Sequence, residues 1–204
     1  MTEIYIVRHG NTFDPGETVT RVGARTDLSL SKSGERQADQ LGGYFGRALS
    51  HGFERAYCSP LKRTRQTAQA ILGPWPSAPR LEVLEFLREI DYGPDENQPE
   101  DRVIARIGMD ALQAWDDAAV PPPGWVLDPG AIRAAWRALF RNLAAKDLER
   151  PVLIVTSNGI ARFALDTITA FRTQPETIKL KTGAFGCVEA SGCDTHLVSW
   201  NVRP

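Results

Sequence analysis

The sequence predicts an α/β protein with a mostly parallel central sheet, helices on both faces and a C-terminal β-hairpin. Three observations carry that prediction. Short apolar runs alternate along the chain with stretches of helical spacing, the pattern of strands joined by crossover helices. The 204 residues contain no internal repeat, low-complexity tract or interdomain linker, so one domain is expected over 1–204. The chain closes on two β-like runs joined by a glycine-containing turn, most simply a hairpin.

The elements follow in order. Glu3–Val7 is a short apolar strand. Ser31–Leu49 reads as a helix capped by Ser31 or Ser33, with Ala38, Leu41, Phe45 and Leu49 at helical spacing. Arg55–Cys58 is a second strand, followed at once by a helix over Leu61–Leu72, which GPWPSAP at 73–79 stops. Leu81–Leu84 is strand-like and leads into LREIDYG. One helix is predicted over Arg102–Trp115 and another over Ala131–Leu143, separated by VPPPGWVLDPG, which cannot continue a helix. Val152–Val155 is a buried strand, Thr156–Gly159 a polar turn, and a helix starts there with Ile160, Phe163 and Ala164 on its apolar face. Gly183–Glu189 and His196–Trp200 form the closing hairpin.

Composition narrows the class of function. The formal net charge is −1, so a globally basic surface for nucleic acid or anionic membrane is not indicated. Cys58, Cys187 and Cys193 are odd in number, widely spaced and without a C-x-x-C pair, which fits reduced cysteines. MTEIYIVRHG lacks a basic segment followed by a long apolar run, and no stretch has the length of a membrane span. A cytoplasmic protein is expected.

In parallel α/β sheets, ligands bind beyond the carboxyl ends of the strands, and the informative residues stand there. Arg8-His9-Gly10-Asn11-Thr12 follows the first strand, Ser59-Pro60-Leu61-Lys62-Arg63 the second, and Glu89 the third. Singly, these read equally well as an edge pair, a solvated helix face and a surface carboxylate. Two arginines, a histidine and one acid brought to one edge describe a phosphate site with a nucleophile and a proton donor.

The sequence resembles the histidine phosphatase superfamily, which includes the cofactor-dependent phosphoglycerate mutases. IYIVRHGNT matches its R-H-G-x-T start, and RVGARTDLSLSKSGERQA matches its second segment through Gly23, Asp27, Leu30, Ser31, Gly34, Gln37 and Ala38. CSPLKRTRQTA and LREIDYG match its third motif and its acid-bearing loop. The resemblance implies a phosphoglycerate mutase-like, three-layer α/β/α fold and a phosphomonoester hydrolase that uses neither metal nor cofactor. It implies that His9 attacks phosphorus, that Arg8 and Arg63 hold the phosphoryl oxygens, and that Glu89 protonates the leaving alcohol. Asn11 and Thr12 are expected to add hydrogen bonds.

The family's second histidine, in V-S-H-G-G-x-I-R, falls on Ser157 of Val155–Arg162, or on Asn158 with a one-residue gap; both are expected to face phosphate. The ungapped match keeps Gly159 and Arg162. A charge about 4–5 Å from phosphate is worth roughly 3–4 kcal/mol at an effective dielectric near 20, and losing a transition-state donor costs about 10²–10³ in rate. Lys62, Arg65, Arg25 and Arg162 are the cations that could supply it, whereas His51 and His196 are expected to be structural.

Two further departures concern the substrate. Gly93-Pro94-Asp95-Glu96-Asn97 replaces the frequent G-x-W-E-G, and Pro15 stands where the mutases carry asparagine. A glycolytic mutase is therefore disfavoured, and a variable substrate segment is expected over about 94–130. Cys58 and Arg63 form C-x₄-R, one residue short of the cysteine-phosphatase loop, and Asp91, Asp95 and Glu96 read as solvated acid rather than a metal site. Two readings lead: a phosphatase acting on a small phosphorylated molecule or a phosphorylated protein side chain, and a weakened or inactive member that binds a phosphorylated ligand. The ligand itself and the oligomeric state have no motif.

Overall fold

Strand β1 (Thr2–Arg8) alternates strictly, and the alternation divides the core in two. Ile4 and Ile6 enter one hydrophobic cluster, Tyr5 and Val7 the other. The strand over Val152–Thr156 behaves likewise: Val152 and Ile154 pack on one face, Leu153 and Val155 on the opposite one, and all five of its residues are buried. A strand apolar on both sides must lie between two helical layers, which is the three-layer arrangement found.

The computed structural model describes residues 1–146 and 148–204. In chain order, β1 is followed by α1 (Lys32–Ala48), β2 (Arg55–Cys58), α2 (Lys62–Leu72) and β3 (Leu81–Val83). Next come α3 (Glu100–Ile107), α4 (Met109–Ala118), α5 (Pro129–Ala144), β4 (Val152–Thr156) and α6 (Asn158–Leu165). The chain then forms β5 (Ala170–Phe171), β6 (Phe185–Ser191) and β7 (Asp194–Val202). The sheet has seven strands in the order β3-β2-β4-β1-β6-β7-β5. Only β6 runs against the others, pairing antiparallel with β1 and β7. The predicted hairpin is β6–β7. No helix among the described residues is long and apolar enough to cross a membrane.

The predicted helix over Arg102–Trp115 is two helices. Gly108 takes φ 80°, a left-handed conformation that closes α3 and opens α4 in a new direction. The hydrophobic period continues across the break, so periodicity by itself does not reveal it. Helix α1 begins as expected, with the Ser31 hydroxyl accepting from the Gly34 N–H at 3.2 Å. Gly34 also lets α1 approach the turn after β1, since a Cβ there would lie 2.0 Å from the Asn11 carbonyl oxygen.

Register is what builds the site. Cys58 pairs with Val155, Val155 with Val7, and Cys58 with Val83, so β3, β2, β4 and β1 end in a row. The ladder extends one residue further, the His9 N–H donating to the Thr156 carbonyl (3.1 Å) and the Ser59 N–H to that of Val155 (3.2 Å). His51 precedes β2, and His196 pairs with Glu189, which pairs with Glu3, so both lie toward the other end of the sheet. Neither reaches the edge that carries His9.

Candidate active site

His9 follows directly on β1 and is buried. Its Nδ1 lies 2.7 Å from the Gly10 carbonyl, an acceptor only, so Nδ1 carries the ring proton. Its Nε2 accepts from Arg63 Nε at 3.1 Å and therefore holds the lone pair. Burial, then the charges of Arg63 and Arg8, push the imidazole pKa well below its ordinary value, while the Gly10 carbonyl works weakly the other way. The ring is neutral and its nucleophilic nitrogen points at a cation.

That depression sets a pH dependence. An unfolded histidine takes up a proton below about pH 6.5, whereas the folded site resists it. The resulting stability is complete above that value and is lost as pH falls toward the folded pKa. We expect ¹⁵N NMR at about pH 6 to show the His9 ring neutral and protonated on Nδ1. A cationic imidazole at that pH would contradict the geometry.

Arg63, on the first turn of α2, is fully buried, and its guanidinium donates to His9 and to the carbonyls of Thr26 (2.9 Å) and Gly23 (3.2 Å). Arg8, at the end of β1, donates from Nη1 to the Leu180 carbonyl at 2.8 Å, while its Nε is enclosed with no partner among the described residues. Burial lowers both guanidinium pKa values, but arginine stays charged.

Glu89 arrives through a short 3₁₀ turn, Glu85–Leu87, tied to the sheet edge where the Thr156 hydroxyl donates to the Leu87 carbonyl at 2.7 Å. The buried carboxylate accepts from the Ile90 N–H (2.9 Å) and, through Oε2, from the Gly159 N–H near the start of α6 (3.2 Å). A Cβ at Gly159 would sit 2.1 Å from Glu89 Oε1, so only glycine leaves room for the acid in this position.

Ser157 caps α6 and is completely buried; its hydroxyl makes no hydrogen bond among the described residues. Asn158 anchors a neighbouring loop, its Oδ1 accepting from the Leu180 N–H at 2.8 Å. Asn11 directs its amide to the Ser33 hydroxyl at 3.3 Å. Arg8, His9, Asn11, Thr12, Glu89 and Asn158 all line one cleft of about 590 Å³, whereas Arg63, bonded to His9 Nε2, and Ser157 are fully buried and do not line it.

Of the three acids after Glu89, Asp91 is half-buried and pairs with the exposed Arg25, but Asp95 and Glu96 are not the solvated acids expected from sequence. Asp95 is buried and bound by Arg106 and by the Trp125 indole N–H (2.7 Å). Glu96 accepts from the N–H groups of Gly23 (3.1 Å), Arg25 (2.9 Å) and Tyr92 (3.1 Å). They latch the loop and are saturated by donors. Cys58 points into the core, where burial pushes its thiol up to about 11.

The profile of the histidine phosphatase superfamily (branch 1) matches residues 4–203. The chain belongs to that superfamily. It is 32% identical over 169 residues to a probable phosphoglycerate mutase, GpmB, of Proteus mirabilis, covering 79% of this chain and 71% of that one. It is 34% identical over 99 residues to the uncharacterized phosphatase PhoE of Bacillus subtilis, a match spanning about half (48%) of each. Among solved structures, a mycobacterial glucosyl-3-phosphoglycerate phosphatase superposes with a TM-score of 0.80 over 100% of both chains at 19% identity. A phosphoserine phosphatase of Entamoeba histolytica, solved with 3-phosphoglyceric acid, gives 0.72 at 18% identity, covering 99% of this chain and 98% of that one.

For a histidine phosphatase, the cleft also holds residues that the sequence did not point to. Tyr92, Arg21, Trp115, Asp116 and Lys179 line it beside Arg162, one of the four cations singled out from the sequence. Arg21 is paired with Glu100 at 2.6 Å, and Lys179 with Asp116. Tyr92 lies in the recognisable LREIDYG motif; the others are contributed by loops and by α4, and no local spacing marks them.

Proposed function

We propose that this histidine phosphatase hydrolyses phosphomonoesters through a phosphohistidine on His9. The observation that supports it most is the His9 tautomer, which keeps the lone pair on the nitrogen facing the arginines. Nε2 forms a bond to phosphorus as the ester P–O bond breaks, and Glu89 gives its proton to the leaving oxygen. Water then attacks the phosphohistidine, Glu89 takes a proton from it, and inorganic phosphate leaves with His9 restored to neutrality. The guanidiniums of Arg8 and Arg63 supply the positive field along this path, as forked donors that match phosphoryl oxygens.

The substrate we favour is a small phosphorylated molecule, since a cleft of about 590 Å³ is in the ordinary range for small ligands. Its leaving group would meet the segment 94–130, whose α3 and α4 bring Glu100, Trp115 and Asp116 to the wall. We read 1–204 as one domain with that segment as its variable part. The three free cysteines fit a reducing, cytoplasmic setting.

The test is turnover of 4-nitrophenyl phosphate, with rapid acid-free quenching and peptide mapping for a phosphoryl group on His9. Turnover with the label on the peptide holding His9 is expected. A second reading, ligand binding without hydrolysis, is favoured by Ser157, which stands where a charged histidine would. Phosphate binding with no turnover and no label would establish that reading instead.

A further inference from the structure

The phosphoryl site lacks the charge of a histidine at 157, and the structure distinguishes among the four cations that could supply it. Lys62, Arg65 and Arg25 are exposed and outside the cleft, and Arg25 is engaged by Asp91 at 3.0 Å. Arg162 is buried at 1% exposure and lines the cleft. Helical side chains lean toward the helix N-terminus, and residues four apart share a face, spanning about 6 Å. Arg162 follows that rule, its Nε donating to the Asn158 carbonyl at 3.3 Å, beside Ser157 and Glu89.

The guanidinium is held from outside the helix. Its Nη1 donates to the Trp115 carbonyl, and its centre lies 4.1 Å from the centroid of the Trp115 ring. Its Nη2 makes no hydrogen bond among the described residues. The charged and titratable groups it faces are Tyr92, Glu89, Asp116 and Arg21, and Arg8, which lines the same cleft, feels its charge. Asp116 is taken by Lys179 and Arg21 by Glu100, so Glu89 is the remaining acid.

Glu89 is thus the one carboxylate that Arg8, Arg63 and Arg162 all face, Arg63 also lying near Asp27 and Glu96, and none of the three arginines forms a salt bridge among the described residues. Three guanidiniums around a single shared acid make the pit an electropositive seat suited to a phosphomonoester dianion. Around that seat, Arg8 Nε and Ser157 Oγ are both enclosed and unpartnered. We propose that Arg162 is the third phosphoryl-binding cation of this site, positioned by Trp115 of α4 and replacing the charge of the absent histidine, while the Ser157 hydroxyl replaces its hydrogen bond. The proposal rests on the phosphate-site reading above and adds a residue to it.

Calorimetric titration with inorganic phosphate tests it independently of turnover. Arg162→Gln is expected to weaken phosphate binding at least about tenfold while the protein stays folded. Arg162→Lys is expected to bind phosphate at neutral pH and to lose affinity between about pH 8 and pH 10, because a buried lysine discharges there and arginine does not. Phosphate affinity within about twofold of wild type in folded Arg162→Gln would overturn the proposal. So would an Arg162→Lys variant whose affinity falls with pH no more than that of the wild type, and that comparison decides if the glutamine variant does not fold. Wild-type phosphate binding without hydrolysis removes the hydrolase reading and leaves Arg162 to be judged by these affinities; hydrolysis with affinities unmoved by substitution does the reverse.

Discussion

Replacing His9 by alanine is expected to lower kcat on an aryl phosphate by about 10⁴-fold or more, the scale on which enzymes lose a covalent nucleophile. Inorganic phosphate affinity is expected to fall only several-fold, because Arg8 and Arg63 keep their carbonyl anchors at Leu180, Thr26 and Gly23. The split between a large kinetic loss and a small binding loss separates a nucleophile from a binding group. Steady-state kinetics with phosphate as competitive inhibitor reads both. A His9→Ala protein retaining turnover within about tenfold would show that the lone pair on Nε2 does not attack phosphorus.

Glu89→Gln is the second large effect, and its two consequences have opposite signs. Loss of the proton donor should lower kcat by about 10²–10⁴ on an alkyl phosphate, whose leaving oxygen needs the proton. The loss should be smaller on an aryl phosphate, whose leaving group departs as a stable anion. Phosphate binding, by contrast, should tighten several-fold, since the substitution removes the one carboxylate facing three guanidiniums in the pit. The amide of glutamine keeps an oxygen for the Gly159 N–H, so the loop should remain in place. Equal losses on alkyl and aryl substrates, or weaker phosphate binding, would assign Glu89 a structural part instead.

The nearness of these groups explains why Arg162 matters for both experiments. Glu89 is held by the N–H of Gly159, and Arg162 by the carbonyl of Asn158, so donor and cation hang from the two ends of one peptide group at the start of α6. Helix α6 is itself pinned to α5, where the Trp136 indole N–H donates to the Ile160 carbonyl at 3.0 Å. Movement of that helix would shift acid and cation together.

Sequence by itself determined six of the seven strands, missing only the two-residue β5, together with their alternation and the residues that follow them. Apolar period and turn chemistry are local properties, which is why Arg55–Cys58 and the start of α1 at Ser31 match the structure closely. Arg8, His9, Arg63 and Glu89 were legible as candidates because each stands at or beyond the end of a strand in a recognisable motif. Other features required the third dimension. The break at Gly108 was hidden by a continuing hydrophobic period, since a left-handed φ leaves no trace in hydropathy. The apparent surface acids Asp95 and Glu96 proved to be latches because their partners, Arg106, Trp125 and the Gly23–Arg25 backbone, come from distant segments. Arg162 was only one cation among four until its burial, its seat on Trp115 and its place in the cleft set it apart. Sequence records which groups exist and in what local rhythm; which charges share a low-dielectric pit is decided by tertiary packing, because Coulomb energy depends on distance through space and not on distance along the chain.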